Sequence, residues 1–411
     1  MHVINYSPVS KPFVMTAVII SFIGSSIGAL WMLSFFGVSI PVEVMSTFKL
    51  HRIFQLDGFV TLIIMGIGYM IIPRMRNEPL QFPKLAQISY FLVLFSILFD
   101  FSTQTFFPNS DYAKITLAAR LTGVGIFAAM MFLRMKTVPK LLKETDYFIT
   151  ISFSLLIACN VISAFEINRH SLVYTQLWLL FPILMIFGIE YKTLPSFLAF
   201  IRPKRKLAMI SIALCVTSGA IGLASVITSL PELGVFFNLF ALGSAACFAV
   251  SVFIYGGFDN SEVLRLISGE KKSRYLLTIL HTRVAFGFLF AGLTLGLLYN
   301  LNLQYFAVFD LAIHFIAIGF IGITIMLYLP LMLPPITGKS IRFLDFNTVP
   351  LILIVSGLSV RVIGDILISA LPSNQFSTIF GISGFIVLAG MFSFVIMIHK
   401  SMKEIDSEAS L

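Results

Sequence analysis

The chain has 411 residues, of which 58% are hydrophobic and only 11% charged, and its mean hydropathy is +0.97. That composition excludes a soluble globular enzyme and a disordered or fibrous chain, and it describes an all-α polytopic membrane protein. The net charge of +9, from 28 Lys and Arg against 19 Asp and Glu, comes from short basic clusters between long apolar runs, so it reports topology and not a nucleic-acid-binding face.

A bilayer core of about 30 Å needs about 20 apolar residues per helix. On that measure the sequence predicts twelve helices, near residues 13–36, 46–72, 85–107, 114–133, 147–166, 171–194, 207–229, 233–257, 275–299, 306–333, 348–371 and 376–399. Nearly the whole chain is then one transmembrane domain, 1–411, with the lipid bilayer as its principal partner. The first run is too long and too mixed with Ser and Gly to read as a cleaved signal peptide. Cys159, Cys215 and Cys247 are far apart inside apolar runs and read as core thiols.

Sorted by loop, 20 Lys and Arg fall on one face, among them Arg134, Lys136, Lys140, Lys143, Arg202 and Lys204–Lys206. The opposite face has only Lys49, Arg52, Lys114 and Arg169. The positive-inside rule therefore predicts that both termini are cytoplasmic, in agreement with an even helix count and a plasma-membrane location.

Ionisable groups at membrane depth are costly, so each is a candidate for function. Helix 2 has His51, Gln55 and Asp57, helix 3 Asp100 and helix 4 Arg120. Further along, helix 6 has Glu190 and Lys192, helix 9 His281 and Arg283, helix 10 Asp310 and His314, and helix 11 Arg361 and Asp365. A neutral imidazole in a dry bundle is a natural ligand for haem iron or copper. Of the six histidines, His2, His170 and His399 fall in solvated positions, which leaves His51, His281 and His314.

Depth separates these three. Helices 2 and 10 run in the same direction, which puts His51 and His314 at compatible heights, roughly 5 to 12 Å below the outer boundary. Helix 9 runs the opposite way, so His281 sits on the order of 15 Å from His314 along the normal and is a separate, third-site candidate. The face of helix 2 below His51 continues as Gln55, Gly58, Leu62, Gly66 and Tyr69. Its two glycines admit either a flat ligand or a neighbouring backbone. Asp310 precedes His314 by one turn and can orient the imidazole, or it can serve as a polar cap at the helix end. Arg361 and Asp365, at i,i+4, can pair with each other, or Arg361 can face haem propionates or another anion. Glu190 and Lys192 read as interfacial, with Lys192 snorkelling.

Three stretches stand out together. The first runs from His51 through Gly58, Phe59 and Gly66 to Pro73 and Pro79; the second is Phe187–Phe197. The third comprises His281 with Gly287, and His314–Gly322 continuing to Thr337, Gly338 and Lys339. In that order they resemble the NnrS family, twelve-helix membrane proteins described as haem- and copper-containing and linked to nitric oxide response, distantly similar to the catalytic subunit of haem-copper oxidases. The resemblance implies a haem b held by His51 and His314 in a bis-imidazole arrangement, with nitric oxide and a redox partner protein as further partners. Where the family has a second histidine on helix 2 this chain has Ile53, and Ile336 stands in place of another before Thr337. Those losses bear on copper, which needs several converging imidazole or sulfur ligands. The paired HH and HxH patterns of oxygen- or nitric-oxide-reducing centres are also absent from the sequence, so a classical enzyme is not the expected reading. Electron transfer, or sensing or handling of nitric oxide, is the expected function. The alternative is a cofactor-free, proton- or ion-coupled secondary transporter using Glu190, Lys192, Arg283 and the Arg361/Asp365 pair.

Overall fold

A computed structural model describes residues 7–38, 44–76, 78–106, 112–135, 143–165, 171–197, 203–256, 268–337, 348–370 and 374–408. Among these there is no strand, and twelve helices are long and apolar enough to cross a membrane. The chain is an integral, multi-pass, all-α membrane protein. We number the helices α1 (Ser7–Met32), α2 (Val44–Arg52, Ile53–Val60 and Thr61–Met75), α3 (Pro83–Phe106), α4 (Ala113–Met135), α5 (Lys143–Ala164) and α6 (Leu172–Phe197). There follow α7 (Arg205–Thr228), α8 (Glu232–Ser251), α9 (Gly269–Asn300), α10 (Phe306–His314, Phe315–Gly322 and Ile323–Thr337), α11 (Val349–Ala370) and α12 (Asn374–Glu408).

The helices belong to two compact units. The first is Met1–Thr137 with Tyr328–Leu411, holding α1–α4, α11 and α12; the second is Val138–Leu327, holding α5–α9 and most of α10. In the first unit, α1 packs along α2 and α12, α3 pairs with α4, and α11 pairs with α12. The last pair is held by small residues. A Cβ at Gly364 would lie 2.7 Å from both Cα and N of Phe380, and one at Gly357 would lie 3.1 Å from N of Val387. Such backbone-to-backbone approach gains dispersion and weak polar contacts where lipid offers no hydrophobic drive to associate.

The core of the second unit is aromatic. The rings of Phe187 on α6 and Phe248 on α8 stack at 4.0 Å and 2°, and Phe286 on α9 lies parallel to both, at 5.9 and 6.1 Å. Phe320 on α10 meets Phe286 edge-on at 5.2 Å, and Phe148 on α5 stands perpendicular to Phe187 and Phe248. Edge-on ring pairs satisfy the ring quadrupoles, and the stacked and edge-on phenylalanines together join five helices.

Two membrane helices change pitch midway. Residues Ile53–Val60 of α2 and Phe315–Gly322 of α10 are π-helical, each beginning within two residues of a histidine. A π-turn leaves backbone groups misaligned with the i−4 ladder, and side chains or small residues must absorb the difference. In α2, Thr61 Oγ donates to the carbonyl of Leu56, five residues back, at 2.9 Å. Gly58 lies inside that segment, and Gly319 and Gly322 inside the other.

Candidate functional site

His51 ends the α-helical first part of α2, and its imidazole lies against α1. Its Nδ1 is 2.8 Å from the carbonyl of Gly24, and a Cβ at Gly28 would lie 2.7 Å from Nδ1 and 2.8 Å from Cε1. A carbonyl can only accept, so the proton is on Nδ1 and the lone pair of the neutral ring is on Nε2, the tautomer an iron ligand requires. One turn deeper, Gln55 Nε2 donates to Ser25 Oγ at 3.0 Å and to the carbonyl of Ser21 at 3.2 Å. The small-residue stripe Ser21, Gly24, Ser25 and Gly28 of α1 is thus the seat of both polar side chains.

The glycines below His51 have a different occupant from a flat ligand. A Cβ at Gly58 would meet Ile20 at 2.5 Å, and one at Gly66 would meet Phe13 at 2.6 Å. Both gaps are filled by α1, so of the two expectations for this face the neighbouring helix is the one realised. Tyr69, at the end of the stripe, bonds Ser89 Oγ on α3 at 2.8 Å.

His314 stands on α10 at the entry to the second π segment. Its Nδ1 is 2.8 Å from the carbonyl of Asp310 and 3.2 Å from the Asp310 carboxylate Oδ1. Both partners accept, so here too the lone pair is on Nε2. Asp310 is buried and close enough to fix the ring orientation. His281 on α9 is buried, with Nδ1 2.7 Å from the carbonyl of Leu277 on its own helix. His51 belongs to the first unit, and His281 and His314 to the second. His2, His170, Gly338 and Lys339 lie outside the described residues, and His399 is exposed.

An ion network occupies the first unit close to His51 in sequence. Arg120 on α4 pairs through Nη1 with Asp57, which lies in the π segment of α2, and its Nη2 is 3.4 Å from Asp100 on α3. Sequence reading marks all three residues but not their meeting, because Asp57 and Arg120 are 63 residues apart. On α11, Arg361 and Asp365 are both buried, and the Arg361 guanidinium lies 4.6 Å above the Phe380 ring. That cation–π contact means a side chain as well as an anion can hold this arginine.

In the second unit, Glu190 is only 1% exposed, while Lys192 beside it is half-buried. Gly188 lets α5 close over this end of α6, Thr145 O lying 3.1 Å from the Cβ position of Gly188. Glu144 at the start of α5 pairs with Arg205. Arg283 Nε donates to the carbonyl of Ile254 at 3.1 Å, closing the turn beyond α8.

Among the described residues no group of three or more His, Cys, Asp and Glu side chains converges as a metal cage. Haem iron takes single imidazoles from separate helices, whereas copper needs several imidazole or sulfur donors that converge. No known protein family matches the chain, and no curated protein matches it.

The seat of His51 makes one expectation quantitative. Gly28→Ala puts a methyl group into the imidazole and costs about 1–3 kcal/mol by overpacking, whereas the same change at Gly125, which has nothing within 4 Å of its Cβ position, is silent. Thermal challenge of the detergent-solubilised variants, read by size-exclusion chromatography, compares the two.

Proposed function

We propose that the chain is a haem b protein of the plasma membrane, with both termini cytoplasmic, acting in electron transfer or in sensing or handling of nitric oxide. His51 and His314 would hold the haem iron, each through Nε2. The observation that supports this most is the engagement of Nδ1 at both residues, by Gly24 in one and by Asp310 in the other, which leaves Nε2 as the basic atom of each ring. A haem held there would supply one-electron chemistry and a potential site for a diatomic gas. Asp310 positions His314, and Arg361, held over Phe380, is the proposed propionate partner. A redox partner protein completes the electron-transfer reading. No copper site is proposed, and His281 is kept as a third imidazole of the same tautomer without an assigned metal.

The test is haem content. Protein purified after haem-supplemented expression is expected to give a pyridine haemochrome near one haem b per chain, and a colourless preparation would overturn the proposal. Asp310→Asn is expected to leave haem bound and to raise its midpoint potential, because a neutral carboxamide beside the ring Nδ1–H stabilises ferric iron less well than a carboxylate. Potentiometric titration followed optically measures the shift.

A second reading, an ion-coupled secondary transporter, draws on the Asp57–Arg120–Asp100 network and on buried Glu190. Against it, α6 runs unbroken from Leu172 to Phe197 through Pro182, where a transporter site is usually built on a discontinuous helix. Proton flux in proteoliposomes without any chromophore would favour this reading.

A further inference from the structure

Two carboxamides, Gln176 and Asn238, converge on one glycine inside the second unit, and a third, Asn300, mirrors Asn238, all apart from every residue used above. Gln176 stands on α6, Asn238 on α8 and Asn300 on α9, and the first two are 2% and 0% exposed. Asn238 Nδ2 donates to the carbonyl of Gly234, four residues earlier on its own helix, at 3.1 Å. Asn300 Nδ2 does the same to Gly296 at 2.8 Å. With both amide nitrogens tied to their own helices, the oxygens turn to the facing helix. Asn238 Oδ1 lies 2.5 Å from the Cβ position of Gly296, and Asn300 Oδ1 lies 2.5 Å from that of Gly234. The arrangement is reciprocal: each asparagine bonds its own glycine and faces the other's.

Gln176 closes on the same point from α6. Its Oε1 is 2.8 Å from the Cβ position of Gly296, and its Nε2 is nearer still. Yet Gln176 Nε2, Gln176 Oε1 and Asn238 Oδ1 are buried without a hydrogen-bond partner in the protein. A buried amide group left unpaired is unfavourable, and more so at membrane depth, so the site calls for an occupant.

The chemistry of the three atoms selects it. A metal cation would serve the two oxygens but face the positive end of the Gln176 amide. An anion would serve Nε2 and be repelled by both oxygens, and an apolar group would satisfy none of the three. Water accepts from Nε2 and donates to the oxygens, and internal waters characteristically make two to four such bonds. We propose that Gln176, Asn238 and Gly296 form a binding site for one internal water molecule that joins α6, α8 and α9. Glycine at 296 is what leaves the carboxamides room to converge.

High-resolution cryo-electron microscopy of the full chain in lipid nanodiscs, prepared once in sodium buffer and once in choline buffer, tests this. The expected result is one density peak at roughly 2.8 Å from Gln176 Nε2 and Asn238 Oδ1, the same in both buffers. A peak that vanishes in choline would make the site a cation site and overturn the proposal. A map with no peak, and with Gln176 Nε2 bonded directly to Asn238 Oδ1, would overturn it as well. Gly296→Ala, whose methyl group would stand between the two side chains, is expected to lose the peak; where that variant does not fold, the wild-type maps decide.

Discussion

Arg120→Leu is expected to destabilise the protein by about 3–5 kcal/mol. The cause is not the loss of attraction as such. Arg120 bridges Asp57 on α2 and Asp100 on α3, and its removal leaves both carboxylates short of a partner among membrane helices. The signature is therefore rescue. Arg120→Leu combined with Asp57→Asn and Asp100→Asn is expected to recover most of the loss, because neutral carboxamides tolerate a low-dielectric setting that carboxylates do not. Arg120→Lys is expected to fall between, since a lysine ammonium is a point donor and cannot fork to two carboxylates on different helices. Thermal stability in detergent, measured across the set, checks the order; equal losses for the single and triple variants would contradict it.

Gly364→Leu is expected to separate α11 from α12, at a cost of about 3 kcal/mol or more. The atoms a Cβ would meet at Gly364 are the N, Cα and Cβ of Phe380, within 2.9 Å, and backbone cannot step aside as a flexible side chain can. The same shift would move the Phe380 ring from beneath the Arg361 guanidinium, so the substitution couples packing to the proposed propionate arginine. Expression level and the melting curve of the variant check the first effect. Haem content of whatever folds checks the second, with Gly125→Leu as the matched control on a helix face where nothing lies within 4 Å.

The number of helices was legible in the sequence because each needs an apolar run of membrane length, and little else in the chain competes with that signal. The ends were less so. Helix α9 begins at Gly269 and not at residue 275, because the polar turn Glu270–Arg274 keeps helical hydrogen bonding outside the apolar window. Helix α12 continues to Glu408 for the same reason, and α8 stops at Ser251 while apolar residues run on.

At the candidate site, the residues could be read but their partners could not. His51 and the glycines of α2 were visible, whereas the occupant of those glycine gaps, α1, depends on which helix packs there. The link between Asp310 and His314 was readable because both lie on one turn. That between Arg120 and Asp57 was not, since it joins separate helices. Gln176 and Asn238 carry no charge, so the cost of an ionisable group at membrane depth does not mark them, although an unpaired amide is also costly there.

The central claim is that His51 and His314 are iron ligands, and low-temperature electron paramagnetic resonance of the oxidised, haem-loaded protein tests it most directly. The wild type is expected to show only the low-spin signal of two imidazoles on one iron. His51→Ala and His314→Ala are each expected to convert it to a high-spin signal near g = 6, with haem retained in part. An unchanged low-spin signal in either variant would contradict the assignment of that histidine, and a haem-free wild type would contradict the account as a whole.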